Sequence, residues 1–342
     1  MSRYDEMIRE AQLYEKIGGD RVHCHLCSHY CRIDKGVRGL CGVRENRGGM
    51  LQSLVYGAVI SEHADPIEKK PLFHVYPGST AYSLATMGCN FRCDFCQNYQ
   101  ISQAPREGRA IAGHDMTPAA IVEQAIACGS PTIAYTYTEP TIYFEFAYDT
   151  ARLAHARGLK NVFVTNGYMT VEAIEMIAPF LDAANVDLKS GREEVYSAHC
   201  GGQLQPVLKS LRKLKELGIW VEVTTLVVPA LNDQPEELER IASFVHSLGA
   251  ETPWHISRFY PRYKMTGKSP TSGETLRRAR HIGKRTGLKY VYGGSSSGDD
   301  GENTYCCGCG KLLIARQGFY TRKLTLKKNV CPDCGTILEG IF

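Results

Sequence analysis

From about residue 82 onward, short apolar runs alternate with amphipathic stretches, and no other feature of the chain narrows its fold as far. The runs are Tyr82–Met87, Thr132–Tyr137, Asn161–Thr165, Ala184–Leu188, Trp220–Val228 and Trp254–Phe259, with a seventh candidate at Lys289–Tyr292. Between them the periodicity predicts helices over 117–128, 143–157, 170–180, 204–217, 234–248 and 274–287. Thr117-Pro118, and Asp233 with Pro235, combine a capping residue with an early proline, as helix openings do. Strands joined through helices of that length pair in parallel with right-handed crossovers. The expected class is therefore α/β: a partial or complete β/α barrel, with an open doubly wound sheet as the competing arrangement. In either case the chemistry belongs beyond the carboxyl ends of the strands.

The flanks differ from this centre. The opening MSRYDEMIREAQLYEKIGG reads as an amphipathic helix and lacks the apolar core and small-residue cleavage site of a signal peptide. The expected division is an N-terminal helix with a Cys-rich metal-binding segment over 1–75, the barrel over 76–292, a Gly/Ser/Asp linker over 293–303 and a four-cysteine module over 304–342. No apolar run is long enough to span a membrane, so a cytoplasmic location is expected. A net charge of +4 on 342 residues is too mild to point to a nucleic-acid partner.

Fourteen cysteines in a chain expected to stay in a reducing compartment point to metals rather than disulfides. Most fall into three groups, leaving Cys128, Cys200 and Cys307 as buried or incidental thiols. The central group, Cys89-Asn-Phe-Arg-Cys93-Asp-Phe-Cys96, follows the first strand directly. Three thiolates so close can hold one [4Fe–4S] cluster and leave one iron without a protein ligand, the open position of a catalytic site. A zinc knuckle or a fortuitous Cys-rich loop is the plainer alternative. Cys306, Cys309, Cys331 and Cys334 form two CxxC knuckles with the look of a structural zinc ribbon, an accessory cluster being the other option. Cys24, Cys27, Cys31 and Cys41 could close around Zn2+ or a second cluster, and His23, His25 or His29 could replace a thiolate there. The spacing does not decide between them; a cluster would suggest electron relay to the centre.

The CxxxCx(aromatic)C loop after the first strand resembles that of the radical SAM superfamily, over about residues 80–292. The resemblance implies S-adenosyl-L-methionine bound at the open iron and split to a 5′-deoxyadenosyl radical, with a reductant such as ferredoxin or flavodoxin. Thr138-Glu139-Pro140 stands where relatives carry Gly-Gly-Glu, so Glu139 inherits contact with the methionine amino group, against the plainer view of a solvated carboxylate. Thr165-Asn166-Gly167-Tyr168 and Asp187-Leu188-Lys189 are similar to segments of the pyruvate formate-lyase activating enzymes. There the Asp and Lys position cofactor or substrate; a strand-supporting salt bridge is the structural alternative for Asp187 and Lys189. Val164 replaces an acidic residue of that group, so its ribose contact is absent or supplied elsewhere. Asn232 and Asp233 either contact cofactor or cap the next helix. His255 and Arg258, three apart on a strand, face opposite ways, and His255 is either a cavity residue or a packed, hydrogen-bonded one.

The wider pattern resembles the AmmeMemoRadiSam system radical SAM enzymes. It includes CHLCSHYCRIDKGVRGLCGVRENRGG, GCNFRCDFCQNYQISQ, YTYTEPTIYFEF, VTNGYMT, TTLVVPALND, PWHISRFYPRYKM and the terminal CxxC pairs. Where relatives tend to continue with Gly-Asn after the last strand, this chain has Gly294-Ser295. The resemblance implies a partial (β/α)6-type radical SAM barrel between a Cys-rich N-terminal segment and a zinc-ribbon-like module. It also implies MEMO-type and AMMECR-type partners. The hydrogen would come from a partner protein, as in glycyl-radical activases, or from a small molecule or another polymer such as RNA. A non-catalytic metal–cysteine scaffold or electron carrier is the reading from a different class.

Overall fold

A computed structural model describes residues 8–294 and 300–342. At its centre are seven parallel strands: β1 (Thr80–Thr86), β2 (Thr132–Tyr135), β3 (Lys160–Thr165), β4 (Ala183–Asp187), β5 (Trp220–Val227), β6 (Trp254–Arg258) and β7 (Val291–Tyr292). Six helices connect them: α1 (Pro118–Ala127), α2 (Phe144–Ala156), α3 (Val171–Ile177), α4 (Leu204–Glu216), α5 (Pro235–Ser247) and α6 (Gly273–Arg285). Thr117, Thr170 and Ser272 open α1, α3 and α6 by accepting hydrogen bonds from backbone N–H groups of the first turn. Asp233 does not cap α5; its carboxylate accepts from Ala230 N at 2.8 Å, and Gln234 holds the cap position without a side-chain bond.

The strands run β7-β6-β5-β4-β3-β2-β1, followed by the antiparallel Ala58–Pro66 and His114–Asp115. The row has two ends, so the barrel is partial. It is nevertheless strongly curled. With neighbours about 4.8 Å apart, β6 would lie more than 20 Å from β1 in a flat sheet. Yet Lys264 N, beyond β6, donates to Asp94 O, beyond β1, at 3.1 Å. At the other end of the strands, the segment leading into β1 lies across β4 and β5: Asn185 Nδ2 donates to Pro71 O at 2.7 Å, and Glu222 accepts from Phe73 N and His74 N.

The N-terminal helix is not found. Among the described residues, Arg9–Glu10 pairs with Met50–Ser53, and Tyr14–Lys16 pairs with Val22–Cys24. Left-handed turns at Leu13, Gly18 and Gly19 break any helical path, and strand pairing overrides the 3.6-residue pattern. Residues 1–7 of that expectation lie outside the described residues. Ala58–Pro66, expected in the N-terminal segment, belongs to the barrel sheet.

The C-terminal module is a three-stranded antiparallel sheet of Thr304–Tyr305, Leu312–Gln317 and Tyr320–Leu324. It does not hang from a linker. Phe73, Tyr290 and Tyr292 of the barrel share an apolar cluster with Leu313, Ile314 and Leu338. The buried Arg316 guanidinium donates to Phe73 O at 2.8 Å, and Ile341 bridges Val75. Gly293 N reaches Gly301 O at 2.9 Å, so the ends of the expected linker are tied together; Ser295 and the linker centre lie outside the described residues. No helix is long and apolar enough to cross a membrane, among the described residues.

Candidate active site

The loop after β1 turns at Gly88, whose φ of 103° suits glycine and whose missing Cβ would meet Val43 Cγ1 at 2.7 Å. The cysteines that follow are pinned from two sides. Arg106 donates to the carbonyls of Cys89, Asn90 and Phe91, and Gln103 Nε2 also donates to Phe91 O. Opposite, Arg92 N and Asp94 N donate to Cys200 O and His199 O at 2.8 and 2.9 Å. Phe91 N donates to Cys89 Sγ at 3.3 Å, and Ser102 Oγ lies 3.3 Å from Cys96 Sγ.

Burial pushes the Cys89 thiol well above its ordinary value, and the charges of Glu139, Cys93 and Cys96 push it further. Burial likewise raises Cys96. Cys93 behaves oppositely: a bond from Cys200 favours its thiolate, burial opposes this, and Lys189 favours it again. One buried and two half-buried thiols that repel one another as anions call for a bound cation to become thiolates together. The donor set fits an iron–sulfur cluster.

The other expected residues divide. Asn166 is beside the loop, with Nδ2 donating to Asn90 Oδ1 at 2.7 Å and lying 3.8 Å from Cys89 Sγ. Asp187 and Lys189 form a 3.0 Å ion pair at the same mouth, and the Lys189 ammonium sits 5.9 Å over the Phe95 ring. Burial alone would lower Lys189, but the charges of Asp187, Cys93 and Cys200 hold it well above its usual value. Glu139 is fully engaged within the protein. One oxygen accepts from Thr141 N, Thr141 Oγ1 and Thr165 Oγ1, the other from Asn166 N at 2.8 Å, so it ties the end of β2 to the end of β3. Asn232 is also internal, bonding Val228 N, Lys189 O and Leu226 O.

His255 lies elsewhere. As the second residue of β6 it faces the floor of the barrel, where Nε2 meets the buried Glu222 carboxylate at 2.6 Å. Its place is the packed alternative, at the end of the strands opposite the cysteines.

A model of the radical SAM superfamily matches residues 84–245. The chain is 49% identical over 338 residues to the uncharacterized protein MJ0808 of Methanocaldococcus jannaschii, covering 98% of this chain and all of that one. The chain belongs to the radical SAM superfamily. It is also 26% identical to a putative glycyl-radical enzyme activating enzyme of the same organism, over 55% of this chain and 76% of that one. A radical SAM methyltransferase from Sphaerobacter thermophilus shares the fold alone, with 18% identity and a TM-score of 0.50 over 63% of this chain and 66% of that one.

This radical SAM chain carries two further cysteine groups. At the C-terminus, Cys306 Sγ and Cys334 Sγ lie 3.5 Å apart, and Cys309 Sγ and Cys331 Sγ 3.7 Å. Zn–S bonds of about 2.3 Å would set tetrahedral sulfurs about 3.8 Å apart, so this knot has the size of a single ion. At the N-terminus, Cys24, Cys27, Cys31 and Cys41 line one cavity with His29. His23 and His25 turn away from those sulfurs toward Glu15.

Cys200 is the residue that sequence reasoning missed. It ends the helical turn Tyr196–Cys200 after β4, is fully buried, and its carbonyl accepts from Arg92 N at 2.8 Å, next to Cys93. Its only advance signal was a cysteine inside His199-Cys200-Gly201-Gly202, downstream of the strand that ends at Asp187.

Proposed function

We propose that the chain is an activase-like radical SAM enzyme whose [4Fe–4S] cluster is held by Cys89, Cys93 and Cys96 and whose hydrogen donor is a partner protein. The convergence of the cysteine loop, Asn166 and the Asp187–Lys189 pair at one mouth carries this reading. When bound, the cluster supplies reductive cleavage of S-adenosyl-L-methionine to methionine and a 5′-deoxyadenosyl radical. The chain supplies the surroundings. Phe91 and Phe95 keep water off the loop. The partly exposed Asp187 carboxylate, oriented by Lys189, is available to a cationic or hydroxyl group of the cofactor. Glu139 acts one step back, fixing the backbone that carries Asn166.

A protein as hydrogen donor is supported by the partial barrel, whose row of strands does not close, and by the name of the activating-enzyme relative. MEMO-type and AMMECR-type proteins are the first partners to test, with ferredoxin or flavodoxin as reductant. Structural Zn2+ at Cys306, Cys309, Cys331 and Cys334 completes the proposal.

Anaerobically reconstituted protein given reductant and S-adenosyl-L-methionine should release 5′-deoxyadenosine, and Cys93→Ala should abolish that release. A fully loaded cluster that yields none would overturn the radical assignment. Deuterium from glycine-labelled partner should appear in the 5′-deoxyadenosine; transfer only from small molecules would overturn the protein-donor assignment.

A further inference from the structure

The four N-terminal cysteines differ from the C-terminal four in one measurable respect. Among the described residues, three or more ligand atoms converge within 4.8 Å at Cys306, Cys309, Cys331 and Cys334 and at Glu15, His23 and His25. No three of Cys24, Cys27, Cys31 and Cys41 do so, although all line one cavity. A tetrahedral zinc needs its sulfurs about 3.8 Å apart. A cubane spreads its thiolates wider, because each binds a different iron. The central Cys89, Cys93 and Cys96 are absent from the converging sets too, so both groups share the wide spacing.

Charge agrees with a large anionic occupant. Arg44 is buried against the cavity, with Nη1 3.6 Å from Cys24 Sγ and Nη2 on the Glu145 carboxylate. Its Nε has no partner among the described residues. A buried guanidinium with an idle donor suits a cluster whose thiolates carry net negative charge.

The cavity also abuts the catalytic loop. His29 lines it and donates from Nε2 to Asn90 O, inside the CxxxCxxC loop, at 2.8 Å. A Cβ on Gly88 would lie 3.2 Å from Cys41 O. Cys27 bridges Met169, three residues beyond Asn166.

We propose that Cys24, Cys27, Cys31 and Cys41 hold a second [4Fe–4S] cluster, fully ligated by protein, through which an electron reaches the catalytic loop. The relay rests on the radical SAM function proposed above; the second cluster itself does not. A low-potential one-electron donor, a ferredoxin or a flavodoxin hydroquinone, loses one electron, the N-terminal site gains and passes it on, and the central site is reduced by one electron.

The test uses full-length protein reconstituted with iron and sulfide, with iron and zinc counted per chain. Wild type should hold about eight iron and about one zinc, and the Cys89/Cys93/Cys96→Ala variant about four iron. In wild type, S-adenosyl-L-methionine should perturb the Mössbauer signal of half the iron only, a readout that needs no variant. Two zinc with only about four iron, all of it responsive to S-adenosyl-L-methionine, would overturn the second cluster. In Cys24/Cys27→Ala protein, freeze-quench EPR should show the central cluster reduced by flavodoxin at least about tenfold more slowly than in wild type; equal rates would overturn the relay. Absence of 5′-deoxyadenosine from protein carrying both clusters would instead count against the proposed function.

Discussion

Glu139 receives donors on both carboxylate oxygens, and this decides what a single atom change would do. In Glu139→Gln, whichever way the amide lies, its NH2 faces an N–H or O–H donor. The expected loss is about 1–3 kcal/mol in chemical denaturation. The ends of β2 and β3 should loosen, and binding of S-adenosyl-L-methionine should weaken. An unchanged denaturation midpoint would show that the tie does not matter. Cys200 tests a different quantity. It is buried beside Cys93 and favours that residue's thiolate, so Cys200→Ala should leave iron content near wild type and lower the reduction potential of the central cluster, read by EPR-monitored titration. How legible were these residues? Asp187 and Lys189 followed from the resemblance of the Asp187-Leu188-Lys189 segment to the activating enzymes, and the structure pairs them although Lys189 lies just beyond the strand. Depth along a strand is not encoded in its two-residue period, which is why His255 could be placed on a face and not at the floor. Cys200 reaches Cys93 through a loop, and no local rule anticipates that.

At the scale of elements, the alternation in the sequence located all seven strands and all six connecting helices to within a few residues, because each strand is buried and each helix has one apolar face. The N-terminal helix failed for the converse reason. Its residues have a helical pattern but no partner for a helix, while strand edges at Val22–Cys24 and Met50–Ser53 are at hand. Junctions between strand and loop depend on backbone freedom. Gly167, just past β3, has φ 69°, and a Cβ there would come within 2.7 Å of Val186 Cγ1. Gly167→Ala should therefore cost about 1–3 kcal/mol, measured by denaturation, through strain and overpacking together. A neutral result would mean β4 yields at that point. Tyr137 shows the opposite solution: it holds φ 59° without being glycine, with its hydroxyl on Asp65 and its ring 4.5 Å from the Lys70 ammonium.

For the whole molecule, the floor of the barrel is a buried polar knot under an apolar layer. His74 sits in it, accepting from Tyr292 at Nε2 and donating from Nδ1 to Glu339 O at 2.7 Å. Burial lowers its pKa to about 4, with Glu222 opposing. An unfolded histidine titrates near about 6.5, so between these values the unfolded chain binds the extra proton. Stability from neutral His74 is full above about pH 6.5 and lost as pH falls toward about 4. The melting-temperature gap between wild type and His74→Gln should shrink as pH is lowered from about 7 to about 5; a constant gap would contradict the assignment.

That floor is closed by residues far apart in sequence, since Val75 meets Ile341 and Phe73 O accepts from Arg316. A ribosome delivers the strands well before it delivers the piece that covers them. Until Cys331 and Cys334 have emerged and the proposed zinc has gathered the four thiolates, Phe73 and Tyr292 have each other and His255 to pack against but lack the cover of Leu313, Ile314 and Leu338. Newly made chains would then wait, sticky at one end, on the arrival of an ion. In a cell short of zinc, the supply of working enzyme would be set by metal rather than by translation, and the shortfall would be found in aggregates and proteolytic fragments.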